Sequence, residues 1–178
     1  FYYYNQVLSL SSGLVATASA LALVVDAIMD PLIGWVSDRT VSRFGRRHPF
    51  IFASLLPSTL SYFALLTVRW GGEAATQEQL FAQLFGLLCA LRISWALYEV
   101  PRGALAPEIC KGYDERTALH GISMACGWLG GGLMSFATKQ VFLGKSYDDP
   151  QGYERLARWG SGMLFVFGLL FACCTPHS

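Results

Sequence analysis

The sequence has few charged residues for its length. Asp, Glu, Lys and Arg make up only 14% of the 178 residues, whereas 53% are hydrophobic, and the mean hydropathy is +0.40. An ordinary soluble domain carries about 25% charged residues, so this chain has too few charges to cover its apolar side chains in water. The composition argues against a soluble domain and favours a membrane protein.

Signatures of several other protein classes are missing. A net charge of +1 gives no basis for nucleic-acid binding. The five cysteines lack the spacing of a metal site or a disulfide framework, and we expect them to be small buried hydrophobic residues. No Ser–His–Asp or Cys–His arrangement is visible, so the sequence predicts neither an enzyme nor a cofactor. The glycine-rich stretch 127–132 lacks the Gly-Lys-Ser/Thr of a phosphate loop, and close helix packing is expected there instead.

Long apolar runs dominate what is present. They cover about 12–37, 50–70, 79–101, 118–143 and 159–175. Each is near the roughly 20 residues that a helix needs to cross a bilayer. Residues 1–178 are therefore predicted to form one all-α transmembrane bundle, with polar connections at 71–78, 107–117 and 144–158. The aromatic stub 1–10 is expected to be the interfacial end of a further span whose beginning is absent.

Basic residues predict the orientation of this bundle. The segments 38–48 and 107–117 lie on one side and together hold six Lys and Arg residues: Arg39, Arg43, Arg46, Arg47, Lys111 and Arg116. Short loops rich in Lys and Arg face the cytoplasm. We therefore expect a multi-pass protein of the plasma membrane with both segments on the cytoplasmic side.

Two acids lie within the first apolar run. Asp26 and Asp30 are one turn apart on the same face of the predicted helix. A carboxylate deep in a bilayer costs at least about 2.5–3.5 kcal/mol, and two neighbouring carboxylates also repel each other. A bound cation or proton would relieve both costs, so the pair predicts a cation site facing a cavity. The alternative is a buried, hydrogen-bonded pair with a purely structural role.

A second cluster follows at the end of this helix. Its pattern is G-x-x-x-D-R-x-x-x-R-x-x-R-R, formed by Gly34, Asp38, Arg39, Arg43, Arg46 and Arg47. Gly34 would let another helix approach closely, and the charges could form an ion-pair latch between helix ends. The alternative is a plain basic loop on the cytoplasmic side.

The third apolar run carries Arg92, Trp95 and Glu99. Arg92 and Glu99 are two turns apart and share a face. All three are predicted to bind the substrate: Glu99 could accept several hydrogen bonds from the hydroxyls of a polar substrate, the Trp95 ring could stack on a sugar, and Arg92 could be a further substrate ligand. Alternatively, Arg92 is an internal partner of Asp26, Asp30 or Glu99, and Trp95 contributes to packing.

These residues also carry a family resemblance. The block D-A-x-x-D-P-L-x-G from Asp26 to Gly34 is joined to Ser-Asp-Arg at 37–39, and further matches occur at 99–101, 105–108 and 115–117. The chain resembles the glycoside–pentoside–hexuronide cation symporters, the melibiose-permease-like branch of the major facilitator superfamily. The resemblance implies the N-terminal six-helix bundle of such a transporter, with its first helix mostly missing and its C-terminal half absent.

The resemblance also implies roles for individual residues. Asp26 and Asp30 would bind the coupling cation, Glu99 would occupy the position of a sugar-binding carboxylate, and the 38–47 loop with Arg116 would belong to a cytoplasmic gate. Met29 and Ala96 stand where melibiose permease has an asparagine and a threonine. Because these two oxygen donors are lost, we expect H⁺ rather than Na⁺ as the coupling ion.

The expected function is cation-coupled symport of a sugar, glycoside or related polar solute by alternating access. The expected partners are a small-molecule substrate, a coupling cation and the lipid bilayer. Two alternatives stay open, namely a lysophospholipid-type symporter of the same superfamily and a membrane scaffold that does not transport.

Overall fold

A computed structural model describes residues 1–40, 48–69, 75–109, 112–142 and 150–174, and for 105–109 only the backbone. Within these ranges the chain is helical and has no β-strand. The described residues form five α-helices: α1 (Ser12–Arg39), α2 (His48–Thr67), α3 (Gln77–Ile109), α4 (Tyr113–Ala137) and α5 (Pro150–Cys174). Short π-helical segments occur at Tyr3–Val7 and Thr138–Phe142.

Four of the helices in the described ranges are long and apolar enough to cross a membrane. They are α1, α2, α3 as far as Ala104, and α5. Prolines lie within α1 (Pro31) and α2 (Pro57) without ending either helix, as membrane helices commonly allow. The structure is the all-α membrane architecture that the apolar runs predict.

Helix α3 lies at the centre of the packed region. It packs along α1 on one side and α2 on another, and α2 also packs along α5. The largest group of buried apolar residues joins the N-terminal segment to α1 and α3, with Tyr4, Ala18 and Leu84 each at most 1% exposed. Buried Gln83 of α3 donates a hydrogen bond to the Tyr4 hydroxyl at 3.1 Å. The N-terminal segment is thereby fixed against α3.

The sequence predicts that the third helix ends at Pro101, and this is wrong. Helix α3 continues to Ile109. A proline inside a helix removes one backbone hydrogen bond, but the Pro101 side chain is almost fully buried, and packing offsets that loss. The predicted loop 107–117 is therefore partly helical at both ends, because α4 also begins early, at Tyr113. Two acids in the first turn of α4, Asp114 and Glu115, favour this early start.

The predicted connection 144–158 is also shorter than expected, because α5 begins at Pro150. Polar residues occur throughout 150–158, but Tyr153, Leu156 and Ala157 are buried along one face of the helix. Their spacing of three and four residues is that of an amphipathic helix. The polar composition of this segment hides that periodicity.

Helix α4 differs most from expectation. It covers most of the predicted span 118–143 but is not among the four helices above, and it is exposed along nearly its whole length. Close packing was expected at its glycines, yet a Cβ on Gly127, Gly130, Gly131 or Gly132 would meet nothing within 4 Å. The described part of the chain presents no helix surface to this glycine stripe.

The four cysteines in the described ranges are less buried than the sequence suggests, and Cys110 lies outside those ranges. Cys126, Cys173 and Cys174 are exposed and Cys89 is half-buried, all as free thiols. In a membrane helix an apolar side chain is also stable when it faces lipid. Apolar character therefore does not require burial within the protein here.

Candidate functional site

Helices α1 and α3 run parallel in a fixed register. Three contacts along their interface join residues with the same sequence separation: Ser11 with Gln77, Asp26 with Arg92, and Gly34 with Val100. Because this separation is constant over two dozen residues, each residue of α1 lies at the same height as the α3 residue 66 positions later in the sequence. This register determines which α3 side chains lie beside the acids of α1.

Asp26 and Arg92 form an ion pair between the two helices. The Arg92 Nη1 atom donates to Asp26 Oδ2 at 2.9 Å, and the two side chains are 38% and 25% exposed. A hydrogen bond between two opposite charges is shorter and stronger than a neutral one. The geometry matches the alternative in which Arg92 serves as an internal partner of an α1 acid.

Asp30 is in a different environment, although it lies one turn further along the same helix. It is exposed and makes no hydrogen bond or ion pair with any residue in the described ranges. The register places it at the level of Ala96 on α3, which is 2% exposed. A methyl group offers a carboxylate neither a donor nor a charge. Among the residues that the structure describes, Asp26 therefore has a counter-charge and Asp30 has none.

Glu99 also has a basic partner, and sequence reasoning missed it. The Arg102 Nη2 atom donates to Glu99 Oε1 at 2.7 Å, with side chains 37% and 44% exposed. The Arg102 guanidinium also lies 5.9 Å from the centre of the Tyr98 ring. The i,i+3 spacing of Glu99 and Arg102 is a standard helix ion-pair spacing, so the pair could have been found from the sequence. The contact orients Glu99 and leaves its second oxygen available.

The three substrate-binding residues predicted on α3 share one side of the helix. At about 100° per residue, Arg92, Trp95 and Glu99 fall within a sector of roughly 60°. Trp95 is 49% exposed. Arg92 contacts Asp26 of α1, and Trp95 lies near residues of α2 and α5. The structure therefore brings the three side chains together on a partly open surface next to the α1 acids.

Trp95 also borders a pocket of about 200 Å³ between α2, α3 and α5. Its lining is mainly apolar and aromatic: Leu55, Trp95, Tyr98, Leu164, Phe167 and Gly168, with Ser54, Ser58 and Ser94. Each serine hydroxyl donates to a carbonyl oxygen of its own helix. Since these donors are already used and no charged side chain lines the pocket, it suits an uncharged, apolar group.

The gate residues lie at the end of α1. Gly34 faces Val100, and a Cβ placed on it would lie 3.6 Å from Val100 Cγ1, so α1 and α3 do approach closely here. The Arg39 guanidinium lies 4.0 Å from the centre of the Trp35 ring, a cation–π distance. Asp38 is exposed and interacts with another residue.

The rest of the predicted gate is only partly visible. Arg116 is exposed in the first turn of α4 and interacts with another residue. Arg43, Arg46 and Arg47 lie outside the described residues. The predicted ion-pair latch stays a prediction. Among the residues described, no group of three or more His, Cys, Asp or Glu side chains could hold a metal ion.

The sequence matches a known protein family over almost its whole length. The family is described as MFS/sugar transport protein, and the match covers residues 1–177. The chain belongs to this family. Membership and the four membrane-length helices identify an integral, multi-pass protein of the plasma membrane, and they agree with the resemblance to the glycoside–pentoside–hexuronide symporters.

Individual members of the MFS/sugar transport family are similar to the chain. It is 29% identical over 160 residues to an uncharacterized symporter of Synechocystis, covering 84% of this chain and 28% of that protein. It is 29% identical over 123 residues to a lactose permease of Lactobacillus helveticus, covering 65% and 19%. An isoprimeverose transporter of Lactiplantibacillus pentosus is 22% identical over 134 residues, covering 75% and 27%.

The chain therefore spans less than a third of each of these three relatives. The family consists of transporters rather than enzymes, which is consistent with the lack of a catalytic arrangement in the sequence.

Proposed function

We propose that the chain forms part of a secondary active transporter that carries a sugar, glycoside or related polar solute together with a cation. The observation that carries this proposal is the register of α1 and α3. It sets Asp26 and Asp30 beside the α3 sector that bears Trp95 and Glu99. A cation site and a substrate site on adjacent helices are what coupling requires, because each occupant can then alter the binding of the other.

The predicted roles follow from this arrangement. Glu99, oriented by Arg102, accepts hydrogen bonds from substrate hydroxyls, and Trp95 offers a ring face for stacking. Asp26 and Asp30 supply the negative charge for the cation. The gate residues at the end of α1 close the cytoplasmic side during alternating access. Because the relatives are about three times longer or more, the site is expected to be completed by further helices of the whole carrier.

The proposed coupling ion is H⁺. Sodium is a hard cation that prefers several oxygen ligands. Met29 between the acids and Ala96 at the level of Asp30 provide a thioether and a methyl group instead. A carboxylate can take up a proton without further ligands, so the local chemistry favours a proton.

The test uses the whole carrier in proteoliposomes with labelled lactose and isoprimeverose, the sugars in the names of two relatives. Accumulation driven by a pH gradient is expected. Sodium-stimulated uptake at fixed pH and voltage would contradict the choice of ion. Uphill accumulation that is unchanged in both Asp26→Asn and Asp30→Asn would contradict the proposed cation site. A whole protein that takes up no labelled sugar under any gradient would favour the scaffold alternative.

A second candidate substrate is an amphiphile, as in the lysophospholipid-type alternative. The apolar pocket that shares Trp95 with the polar sector supports it, since a polar head at Glu99 and an alkyl tail in the pocket would touch the same residue. Competition distinguishes the two. Lysophosphatidylcholine below its micellar concentration should inhibit sugar uptake only if the pocket accepts the tail.

A further inference from the structure

The two acids of α1 are not equivalent, and we infer that Arg92 permanently neutralises Asp26, which leaves Asp30 as the carboxylate that takes up the coupling cation. This inference rests on the proposed function and refines it. It replaces a shared two-acid site by a fixed ion pair next to a single cation acceptor. Arg92 is then a positioning residue of the cation site rather than a substrate ligand.

The first support is the difference in partners between the acids. Asp26 accepts a charge-assisted hydrogen bond from Arg92 at 2.9 Å and is 25% exposed. Asp30 is exposed, lacks a partner among the residues described, and stands level with the methyl group of Ala96. A cation that approached Asp26 would compete with a guanidinium already in place. A cation that approached Asp30 would meet a free carboxylate.

The second support is that the register holds the ion pair in place. Gly34 against Val100, two turns beyond Asp26, and Ser11 against Gln77, about four turns before it, fix α3 relative to α1 on both sides of the pair. Arg92 therefore does not have to move along α1 to keep its contact. Arg102, further along α3, is already paired with Glu99.

Charge balance gives the inference a functional consequence. Asp26, Asp30 and Arg92 together carry one net negative charge. Uptake of one monovalent cation by Asp30 makes the group neutral, and a neutral group is the least costly charge state in a membrane interior. Two uncompensated carboxylates would need two cations for the same result. The inference therefore predicts one cation per substrate molecule.

The decisive experiment compares single and double neutralisations in the whole carrier. Accumulation of labelled lactose and isoprimeverose is measured in proteoliposomes under separate proton and sodium gradients. Asp26→Asn should lose uphill accumulation, because it releases Arg92, whose positive charge then neutralises Asp30. Asp26→Asn combined with Arg92→Gln should regain it, since Asp30 is free again. Asp30→Asn should lose it and should not be rescued by Arg92→Gln.

The outcomes separate this inference from the proposed function. If the wild type accumulates a sugar but the Asp26→Asn/Arg92→Gln protein does not, both acids are needed and the inference is wrong while the transporter stands. If Asp30→Asn keeps full accumulation, the inference is also overturned. If the wild type accumulates neither sugar under either gradient, the proposed cation–sugar coupling itself fails. Glu154→Gln, an exposed substitution on α5, is the matched control and should behave as the wild type.

A measurement without substrate covers variants that fold poorly. Thermal stability of the purified proteins is compared for Asp26→Asn, Arg92→Gln and the double variant. Each single change should lower the melting temperature more than the double change does, because each leaves an unpaired charge. Strictly additive losses would show that no ion pair exists. The charge-reversed protein, Asp26→Arg with Arg92→Asp, should keep both stability and accumulation, and loss of accumulation in that folded protein would contradict the inference.

Discussion

Gly34 on α1 lies directly opposite Val100 on α3, and a Cβ placed on Gly34 would fall 3.6 Å from the Val100 Cγ1 atom. This is an ordinary van der Waals distance, so a methyl group at this position would contact Val100 without displacing it. The close approach of the two helices keeps Asp26 beside Arg92. The packing at Gly34 and the charge pairing eight residues earlier therefore belong to one interface.

The first prediction concerns this interface. Gly34→Ala should change the free energy of unfolding by no more than about 0.5 kcal/mol. Gly34→Val should cost about 1–3 kcal/mol, because its branched side chain overpacks against Val100. Thermal unfolding of the purified protein in detergent measures both. Gly86→Val on α3 is the control, since a Cβ there meets nothing within 4 Å. Equal losses for the valine variants at 34 and 86 would contradict the assigned contact.

The second prediction concerns the contact between α2 and α5. A Cβ on Gly160 would lie 2.8 Å from Tyr62 Cε1 and 2.9 Å from its hydroxyl, which is too close without a shift of the ring. Gly160→Ala should therefore destabilise the protein by about 1–3 kcal/mol. Gly162→Ala, two residues further on, has open space and should be neutral or slightly stabilising, because alanine is the better helix former.

Melting temperatures of the two variants decide this prediction. A direct check is to repeat the Gly160→Ala substitution in a Tyr62→Leu protein, which lacks the tyrosine ring. Gly160→Ala should cost less in the Tyr62→Leu background than in the wild type. A similar loss in both backgrounds would show that Tyr62 is not what makes Gly160 necessary.

The long helices were predictable from the sequence because a helix that crosses a membrane needs a run of about 20 apolar residues, and such runs are visible in the sequence. The apolar run 12–37 corresponds to helix Ser12–Arg39, and the apolar run 50–70 corresponds to helix His48–Thr67. The errors arose where local composition and tertiary packing disagree. Pro101 resembles a helix end in sequence, but burial allows the helix to pass through it. Polar residues at 150–158 resemble a loop, but one face of that segment is buried against the bundle.

The candidate site was predictable as a set of residues but not as a set of contacts. The sequence showed that Arg92 could pair with Asp26, Asp30 or Glu99, and only the register of α1 against α3 selects Asp26. Such a register depends on packing between segments 66 residues apart and leaves no local pattern. The Glu99–Arg102 pair, in contrast, has a helical i,i+3 spacing and was available from the sequence.

The third prediction concerns this Glu99–Arg102 pair. Glu99→Gln should weaken sugar binding by about 1.5–3 kcal/mol, because hydrogen bonds to a charged group are lost, and this corresponds to roughly a tenfold or greater rise in Kd. Arg102→Gln should raise Kd less, because it releases Glu99 without removing it, and Arg102→Lys should restore part of the loss. Both partners are more than a third exposed, so thermal stability should change by less than about 1 kcal/mol.

Equilibrium binding of labelled sugar to the whole carrier measures these effects. Glu78→Gln is the control, because Glu78 is exposed in the first turn of α3, 21 residues before Glu99. The order of affinities should be wild type, then the lysine variant, then Arg102→Gln, then Glu99→Gln. An unchanged Kd in Glu99→Gln would remove Glu99 from the substrate site. A large loss of stability in Arg102→Gln would instead indicate a structural role for the pair.

The fourth prediction uses Trp95, the side chain shared by the polar sector and the apolar pocket. Trp95 is 49% exposed, and the centre of its ring lies 5.9 Å from the centre of the Tyr98 ring. Contacts between aromatic rings are worth about 0.5–1.5 kcal/mol, and we expect a similar value for a sugar stacked on Trp95. Trp95→Ala should therefore weaken sugar binding by roughly 2- to 12-fold, whereas Trp95→Phe should keep most of the affinity. Trp159→Ala is the control, since Trp159 is 65% exposed on α5.

The same variants distinguish a sugar from an amphiphile. Stacking on a sugar needs only the ring of Trp95, so enlarging the pocket elsewhere should leave sugar affinity unchanged. Binding of an alkyl tail depends on the pocket walls. Phe167→Ala, which removes a wall residue away from α3, should then alter the affinity for lysophosphatidylcholine but not for sugar. If Phe167→Ala weakens sugar binding as strongly as Trp95→Ala does, the sugar itself must enter the pocket between α2, α3 and α5, and the polar sector would lose its assignment as the substrate site.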